Sequence, residues 1–341
     1  MASDLEDHAA ALLHARRRWH WAEIGFWLLA FTTPLVFPSS ALLLNEIAIL
    51  ALFALSLDLL LGFAGIVSLG HAALFGCGAY VAGLFAKHVS GEPLLGLAVA
   101  AMASSALGFA SSFLVLRGSD LTRLMVTLGV AMLLGEAANK AAWLTGGADG
   151  LQGIVMGPVA GVFEFDLAGR TAYAYSLVTL FLLFLIARRV VASPFGASLL
   201  CIRENALRAA AIGIPVNARL VSIYTFAAVY AGVAGALLTQ TTQFVALDVL
   251  DFHRSADVLL VLVIGGAGTL YGGMLGALAF KLLQDALSGF TPQYWHFWIG
   301  FILVALVLAR RERLTAGVVG LAKAVEVRVR RRAGRSDAEP A

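Results

Sequence analysis

In a chain of 341 residues of which only 13% are charged, the informative side chains are ionisable and hydroxyl groups set inside apolar runs. Each charge at the centre of a lipid-facing helix costs roughly 2.5 to 3.5 kcal/mol, so such groups should face protein or water. They are Glu46 and Asp58, Ser68 and His71, Glu136 with Lys140, Asp257, and Lys281 with Asp285. Glu46, Ser68 and His71 are candidates for lining the path of a polar solute. With Ser68 three residues before it, His71 can instead hydrogen-bond across a packed interface, a purely structural role. An intramembrane hydrolase would need more: Ser68 lacks a G-x-S-x-G context, and neither an acid nor an oxyanion partner is apparent. No catalytic residue is assigned. The pairs Glu136/Lys140 and Lys281/Asp285 are spaced i, i+4 and can neutralise each other on one helix face. Asp58 and Asp257 lie near the ends of their apolar runs, where solvation by water would explain them.

Nucleotide chemistry finds no support within the chain. It contains no G-x-x-x-x-G-K-[ST] loop, so any ATP-driven step must come from another subunit, and no cofactor is expected here. The run from Gly266 to Gly272 lacks the spacing and strand context of a dinucleotide fingerprint. Gly268, Gly272 and Gly276 recur every four residues, as do Ala228, Gly232 and Ala236, a spacing that lets membrane helices approach closely. Cys77 and Cys201 suggest neither a disulfide framework nor a metal site.

The elements that must position these residues follow from composition. Hydrophobic residues make up 60% of the chain and mean hydropathy is +0.87, which excludes a soluble two-domain enzyme. The apolar runs are continuous rather than alternating, which excludes a porin-type barrel. The expectation is an all-α, polytopic bundle of about ten spans, near residues 22–38, 42–61, 66–86, 94–116, 124–143, 172–187, 219–240, 256–271, 273–289 and 294–309. Glycines 62 and 65, and the cluster from Gly265 to Gly273, could mark broken helices rather than turns. Arg16, Arg17 and Arg18 precede a run too long and aromatic-rich for a signal peptide, so the first span is expected to be retained. Of the 24 basic residues, 19 fall in the N-terminal segment, alternate loops and the tail from Arg310 to Arg335. Four (Lys87, Lys140, Arg170, Arg254) fall in the opposite loops and Lys281 within a span. That asymmetry places both termini in the cytoplasm, and it explains the net charge of +3 better than nucleic-acid binding does. The expected organisation is a cytoplasmic segment 1–21, a membrane domain 22–309 and a basic tail 310–341 that fixes topology or binds lipid headgroups. Within the membrane domain, loop 145–171 faces outward and loop 188–218 faces the cytoplasm, the latter reading as short helices broken at Pro194, Gly196, Gly213 and Pro215.

Four motifs, met in order, carry a resemblance. Residues 55–80 read LSLDLLLGFAGIVSLGHAALFGCGAY; Thr145, Gly146 and Gly147 open TGGADGL; Arg203, Glu204 and Asn205 follow Ile202 and lead through Ala209 to Gly213; and IGGAGT begins at Ile264. Together, over residues 42–310, they resemble the permease family of branched-chain amino acid ABC transporters, the LivM-type subunit. Within that pattern Ala206 stands where an acidic residue is common, and Arg208 and Ala210 interrupt the usual run of small and charged residues.

The resemblance implies one permease subunit of a bacterial inner-membrane importer, paired with a related permease, two cytoplasmic ABC ATPases that bind the ATP, and an extracytoplasmic solute-binding protein. It implies further that loop 188–218 seats in an ATPase, with Arg203 and Glu204 as polar contacts, Asn205 and Ala209 in the coupling element and Gly213 ending a coupling helix. Thr145, Gly146 and Gly147 join the substrate-path candidates on the outward side. Small amino acids lead as solutes, with urea, short amides and aromatic acids carried by the same architecture; a zwitterion's carboxylate could meet helix N-termini at the Gly62 to Gly65 break and its ammonium Glu46. A stand-alone secondary transporter, coupled through Asp58, Glu136 or Asp257, is the alternative.

Overall fold

The computed structural model describes residues 21–36, 40–118, 120–166, 168–290 and 294–308. All of the expected N-terminal segment except Trp21, and all of the basic tail, lie outside the described residues. The chain divides into two compact units, residues 1–281 and 282–341. Among the described residues the structure is helical, with two isolated antiparallel bridges, Leu151 with Val245 and Val159 with Phe163, and no strand.

A helix lies on each of the ten apolar stretches, and three short ones occupy the loops. In chain order they are α1 (Trp21–Val36), α2 (Ala41–Asp58), α3 (His71–His88), α4 (Pro93–Val115), α5 (Asp120–Lys140), α6 (Ala142–Thr145) and α7 (Arg170–Val191). After these come α8 (Pro194–Glu204), α9 (Ala206–Ala211), α10 (Val216–Thr242), α11 (Phe252–Gly265), α12 (Tyr271–Phe290) and α13 (Trp295–Leu308). Five are long and apolar enough to cross a bilayer unaided: α2 with its continuation to Ala64, α4, α5, α7 and α10.

Side-chain size decides what sits at the centre of the first unit. α2 is apolar on nearly every face and α10 carries a long run of alanine and glycine, so both can be surrounded by other helices, and both are largely buried. α10 packs most intimately against α3 and α4. There Gly78 of α3 meets the backbone of Gly232 in α10, and Gly232 meets Ser104 of α4, leaving no room for a Cβ at either glycine. Close backbone approach of this kind gives membrane helices their dispersion contacts. α5 buries only Thr127 and Ala131 and is the outermost of these spans.

Polar ties are made where helices already touch. Asn45 of α2 donates to Thr241 at 3.1 Å and accepts from Ser176 of α7 at 2.7 Å. Tyr175 donates to Gln240 at 3.0 Å, and Gln240 donates in turn to the Pro93 carbonyl at 2.8 Å. Each pairing satisfies a buried group that would otherwise be costly.

Both glycine clusters interrupt helices. α2 loosens into a π-helix at Leu59–Ala64, which Gly65 ends in the left-handed conformation at φ 71°. Residues 66–70 are not helical, and α3 starts at His71, five residues later than the apolar run begins. This short stretch is held by side chains: Thr127 accepts from the Leu69 amide at 3.2 Å, and Ser255 accepts from the Ala72 amide at 2.9 Å. α11 likewise ends at Gly265, and a turn over residues 266–270 precedes α12.

α11 is also short, and the segment before it travels beside α3. Val245 accepts from Leu151, whose side chain lies 3.0 Å from the Cβ position of Gly83. Leu250 Cγ is 2.6 Å from that of Gly76, and Ser255 meets Ala72. Residues 243–251, with one short 3-10 turn at Leu247–Leu250, therefore follow α3 along much of its length without forming a span-length helix.

Candidate functional site

Two clusters of candidate residues lie at opposite ends of the first unit. At one end, Thr145 closes α6: its hydroxyl donates to the Ala138 carbonyl at 2.6 Å and accepts from the Gly147 amide at 3.2 Å. Gly146, Gly147 and Gly150 have φ of 79°, 57° and 73°, values that glycine adopts without steric cost. The resulting turn delivers Leu151 to Val245, a backbone bond of 2.7 Å. Thr145, Gly146 and Gly147 thus shape the connection that anchors loop 145–171 on residues 244–245.

At the other end stands the 188–218 segment. Pro194 starts α8 at a position where a missing amide hydrogen costs nothing, and Gly196 lies inside that helix rather than breaking it, because its Cβ position is filled by the backbone of Val191. The break falls instead at Asn205, which is extended and whose side chain accepts from the Arg208 amide at 3.0 Å, capping α9. Gly213 ends the element at φ 89° and donates to Ala210, while Ile214 donates to Ala209, a left-handed glycine stop. Ala209 is buried, whereas Leu207 and Ile212 are 84% and 73% exposed. This short helix and the residue after it thus turn two large apolar side chains to solvent. The candidates that the sequence offers here, Arg203, Glu204, Asn205, Ala209 and Gly213, do not include these two.

Arg203 points inward. One guanidinium nitrogen donates to the Gly62 carbonyl and the other to Glu204 at 3.0 Å. Its Cγ lies 2.8 Å from where a Cβ of Gly65 would be, so the glycines of the first break make room for the arginine. Beside them is Asp58, fully buried rather than solvated as its place near a span end suggests. Its carboxylate accepts from the Gly268 amide at 2.6 Å and the Leu270 amide at 3.0 Å. A Cβ on Gly62 would sit 2.7 Å from the Gly268 Cα. Both glycine breaks and the loop helix α8 therefore converge on one point.

His71 is buried against Phe53, ring centroids 5.5 Å apart and nearly parallel. Ser56 donates to the Phe53 carbonyl at 2.6 Å and lies 2.7 Å from His71 Nε2. With its one hydrogen spent, Ser56 accepts from Nε2–H, and Nδ1 of the ring is left without a hydrogen-bond partner. Ser68 is buried and also unpartnered; it is not joined to His71.

Glu46 stands apart from this region. It is half exposed and pairs with Lys281 at 2.6 Å, so Lys281 is neutralised across the bundle by α2 and not by the i, i+4 Asp285. Glu136 and Lys140 do pair, at 3.5 Å. Glu46→Gln should lower the thermal midpoint in detergent or lipid, leaving Lys281 uncompensated at a cost of about 2 to 3 kcal/mol. Adding Lys281→Met should restore most of that loss, and a double variant no better than the single one would contradict the pairing. A cavity of about 330 Å³ between α1, α2, α7 and α12, bordered by Phe26, Trp27, Ile47, Leu177 and Met274, is almost wholly apolar and does not suit a zwitterion. Among the described residues no group of His, Cys, Asp and Glu could hold a metal.

The chain is 24% identical over 285 residues to the high-affinity branched-chain amino acid transport system permease protein LivM of Escherichia coli (strain K12), covering 77% of this chain and 67% of that one. It is 26% identical over 293 residues to the L-arabinose ABC transporter permease protein AraH of Azospirillum brasilense, covering 80% and 78%. A shorter match, 31% over 148 residues, covers 41% of this chain and 44% of the probable ABC transporter permease protein YphD of Escherichia coli (strain K12). No solved structure matches. The model of the family described as branched-chain amino acid transport system / permease component matches residues 40–307, a stretch that takes in both glycine breaks and both long loops. The chain is a membrane protein of that ABC permease family, a transport component and not itself an enzyme.

Proposed function

We propose that this chain is the permease subunit of an ATP-driven importer for branched-chain or related small amino acids. A solute-binding protein delivers the solute from outside, a related permease completes the pathway, and two separate ATPases bind and hydrolyse the ATP. The observation that carries the reading is the α8–α9 element: it presents Leu207 and Ile212 to solvent while Arg203 reaches back to the Gly62 carbonyl. Such an element converts nucleotide-driven closure of a partner into displacement of membrane helices. In this reading residues 22–309 form ten spans, both termini are cytoplasmic in the inner membrane, and residues 310–341 form a basic cytoplasmic tail. Glu46, Ser68, His71 and the Thr145–Gly147 turn remain the proposed substrate-path residues, with Glu204 and Asn205 beside the docking surface.

A second solute class has an observation behind it. The likeness to AraH extends over 80% of this chain, as far as the likeness to LivM, which favours a neutral sugar as the alternative cargo.

The test is a tagged purification of this chain from native membranes in mild detergent, with co-purifying subunits identified and ATPase activity assayed. Recovery of a second permease and P-loop ATPases is expected. A homogeneous chain without ATPase activity, able to take up leucine on an ion gradient, would overturn the reading in favour of secondary transport.

A further inference from the structure

The carboxylate of Asp58 has a use that solute binding does not require. It is buried within α2 and accepts two backbone amides, those of Gly268 and Leu270, from the turn between α11 and α12. Leu270 is a non-glycine residue held at φ 57°. Such a conformation persists only where its surroundings over-determine it, and the bond from its amide to Asp58 is part of that constraint. One turn along, the Gly62 carbonyl receives Arg203 from α8. The link between them is the π-helix Leu59–Ala64, a wider and less regular turn than the α-helix before it and a frequent mark of functional sites. Three segments remote in sequence are thus joined by polar bonds in series: α8 through Arg203 to Gly62, the π-turn to Asp58, and Asp58 to the strained turn. Release of Asp58 would free Leu270 from that constraint.

We propose that Asp58 and Arg203 act together as positioning residues that pass displacement of α8–α9 to the turn Gly266–Leu270, and so to α11 and the start of α12. This rests on the importer reading, since the displacement comes from an ATPase. Arg203 is then a strut between the loop and the membrane helices, and docking falls to Leu207 and Ile212.

The test uses the complex purified from native membranes, with Cys77→Ala and Cys201→Ser removing the native thiols and Ala267→Cys, an exposed position in the turn, as reporter. ATP hydrolysis and the rate of maleimide labelling are measured with and without ATP–vanadate trapping. With Asp58 and Arg203 intact, trapping is expected to change the labelling rate at least threefold. Asp58→Asn and Arg203→Ala should keep basal ATP hydrolysis within twofold yet reduce the labelling change to under 1.5-fold, and Arg203→Lys, which retains a donor, should recover at least half of it. An equal change in all variants, or none in the intact complex, overturns the relay and leaves the importer reading in place. A preparation with no co-purifying ATPase overturns that reading and the relay with it. Should Asp58→Asn fail to assemble, the part-exposed Arg203 decides the matter alone.

Discussion

Gly78→Val is expected to abolish recovery of a monodisperse protein. Gly78 faces the Gly232 backbone, Gly232 faces Ser104 and Ala100, and the Cβ position of Gly235 lies 2.9 Å from the Ala79 amide nitrogen. At Gly78 and Gly235 the contacts are with backbone, and no flexible side chain can yield. A typical overpacked core costs about 1 to 3 kcal/mol because neighbours repack. Here α3 and α10 must separate along their whole interface, so the loss should exceed about 3 kcal/mol. Gly78→Ala should lower the thermal midpoint by several degrees. Gly135→Val, at a position with nothing within 4 Å of its Cβ, should leave it nearly unchanged. Size-exclusion profiles and thermal midpoints of the three variants make the measurement, and a Gly78→Val chain that melts like the unsubstituted one would refute the packing argument.

The second large effect is expected at Leu207 and Ile212. Changing both to aspartate should remove the ATPases from the purified complex while leaving the yield and melting of the permease intact, since neither side chain supports its own fold. Burying a leucine or isoleucine contributes about 1.5 to 3 kcal/mol each, and every 1.4 kcal/mol is tenfold in affinity. The double change should therefore weaken association at least a hundredfold. The contrasting variant is Ala209→Asp, where the side chain is 1% exposed and the added charge should destabilise the permease itself. Retention of ATPases by the Leu207→Asp/Ile212→Asp chain would move the docking surface elsewhere.

The helices were legible because lipid imposes a simple rule on each: about twenty apolar residues with basic residues gathered on one side. All ten stretches hold a helix, and among the described residues five of these are long and apolar enough to cross a bilayer. What escaped was anything that depends on a neighbour distant in the chain. Averaging hydropathy over a span hides a five-residue interruption, so the runs beginning at Ile66 and ending at Tyr271 absorbed turns that are not helical. Asp58 was visible as an intramembrane acid but its partners lie 210 and 212 residues away, and Lys281 finds Glu46 235 residues away. Leu207 and Ile212 were overlooked for the opposite reason: apolar residues are unremarked in a chain that is 60% hydrophobic, and their exposure became visible only once Ala209 was seen to turn inward.

The short helix α11 and the irregular residues before it bear on biogenesis. Fourteen residues of α-helix reach about 21 Å, short of the roughly 30 Å of a hydrocarbon core. Backbone amides and carbonyls of residues 243–251 would be left bare in lipid, where no irregular segment survives uncovered. In the folded chain this cover comes from α3, made some 170 residues earlier in synthesis, so the second half of the chain depends on the first for a surface that its own helices do not supply.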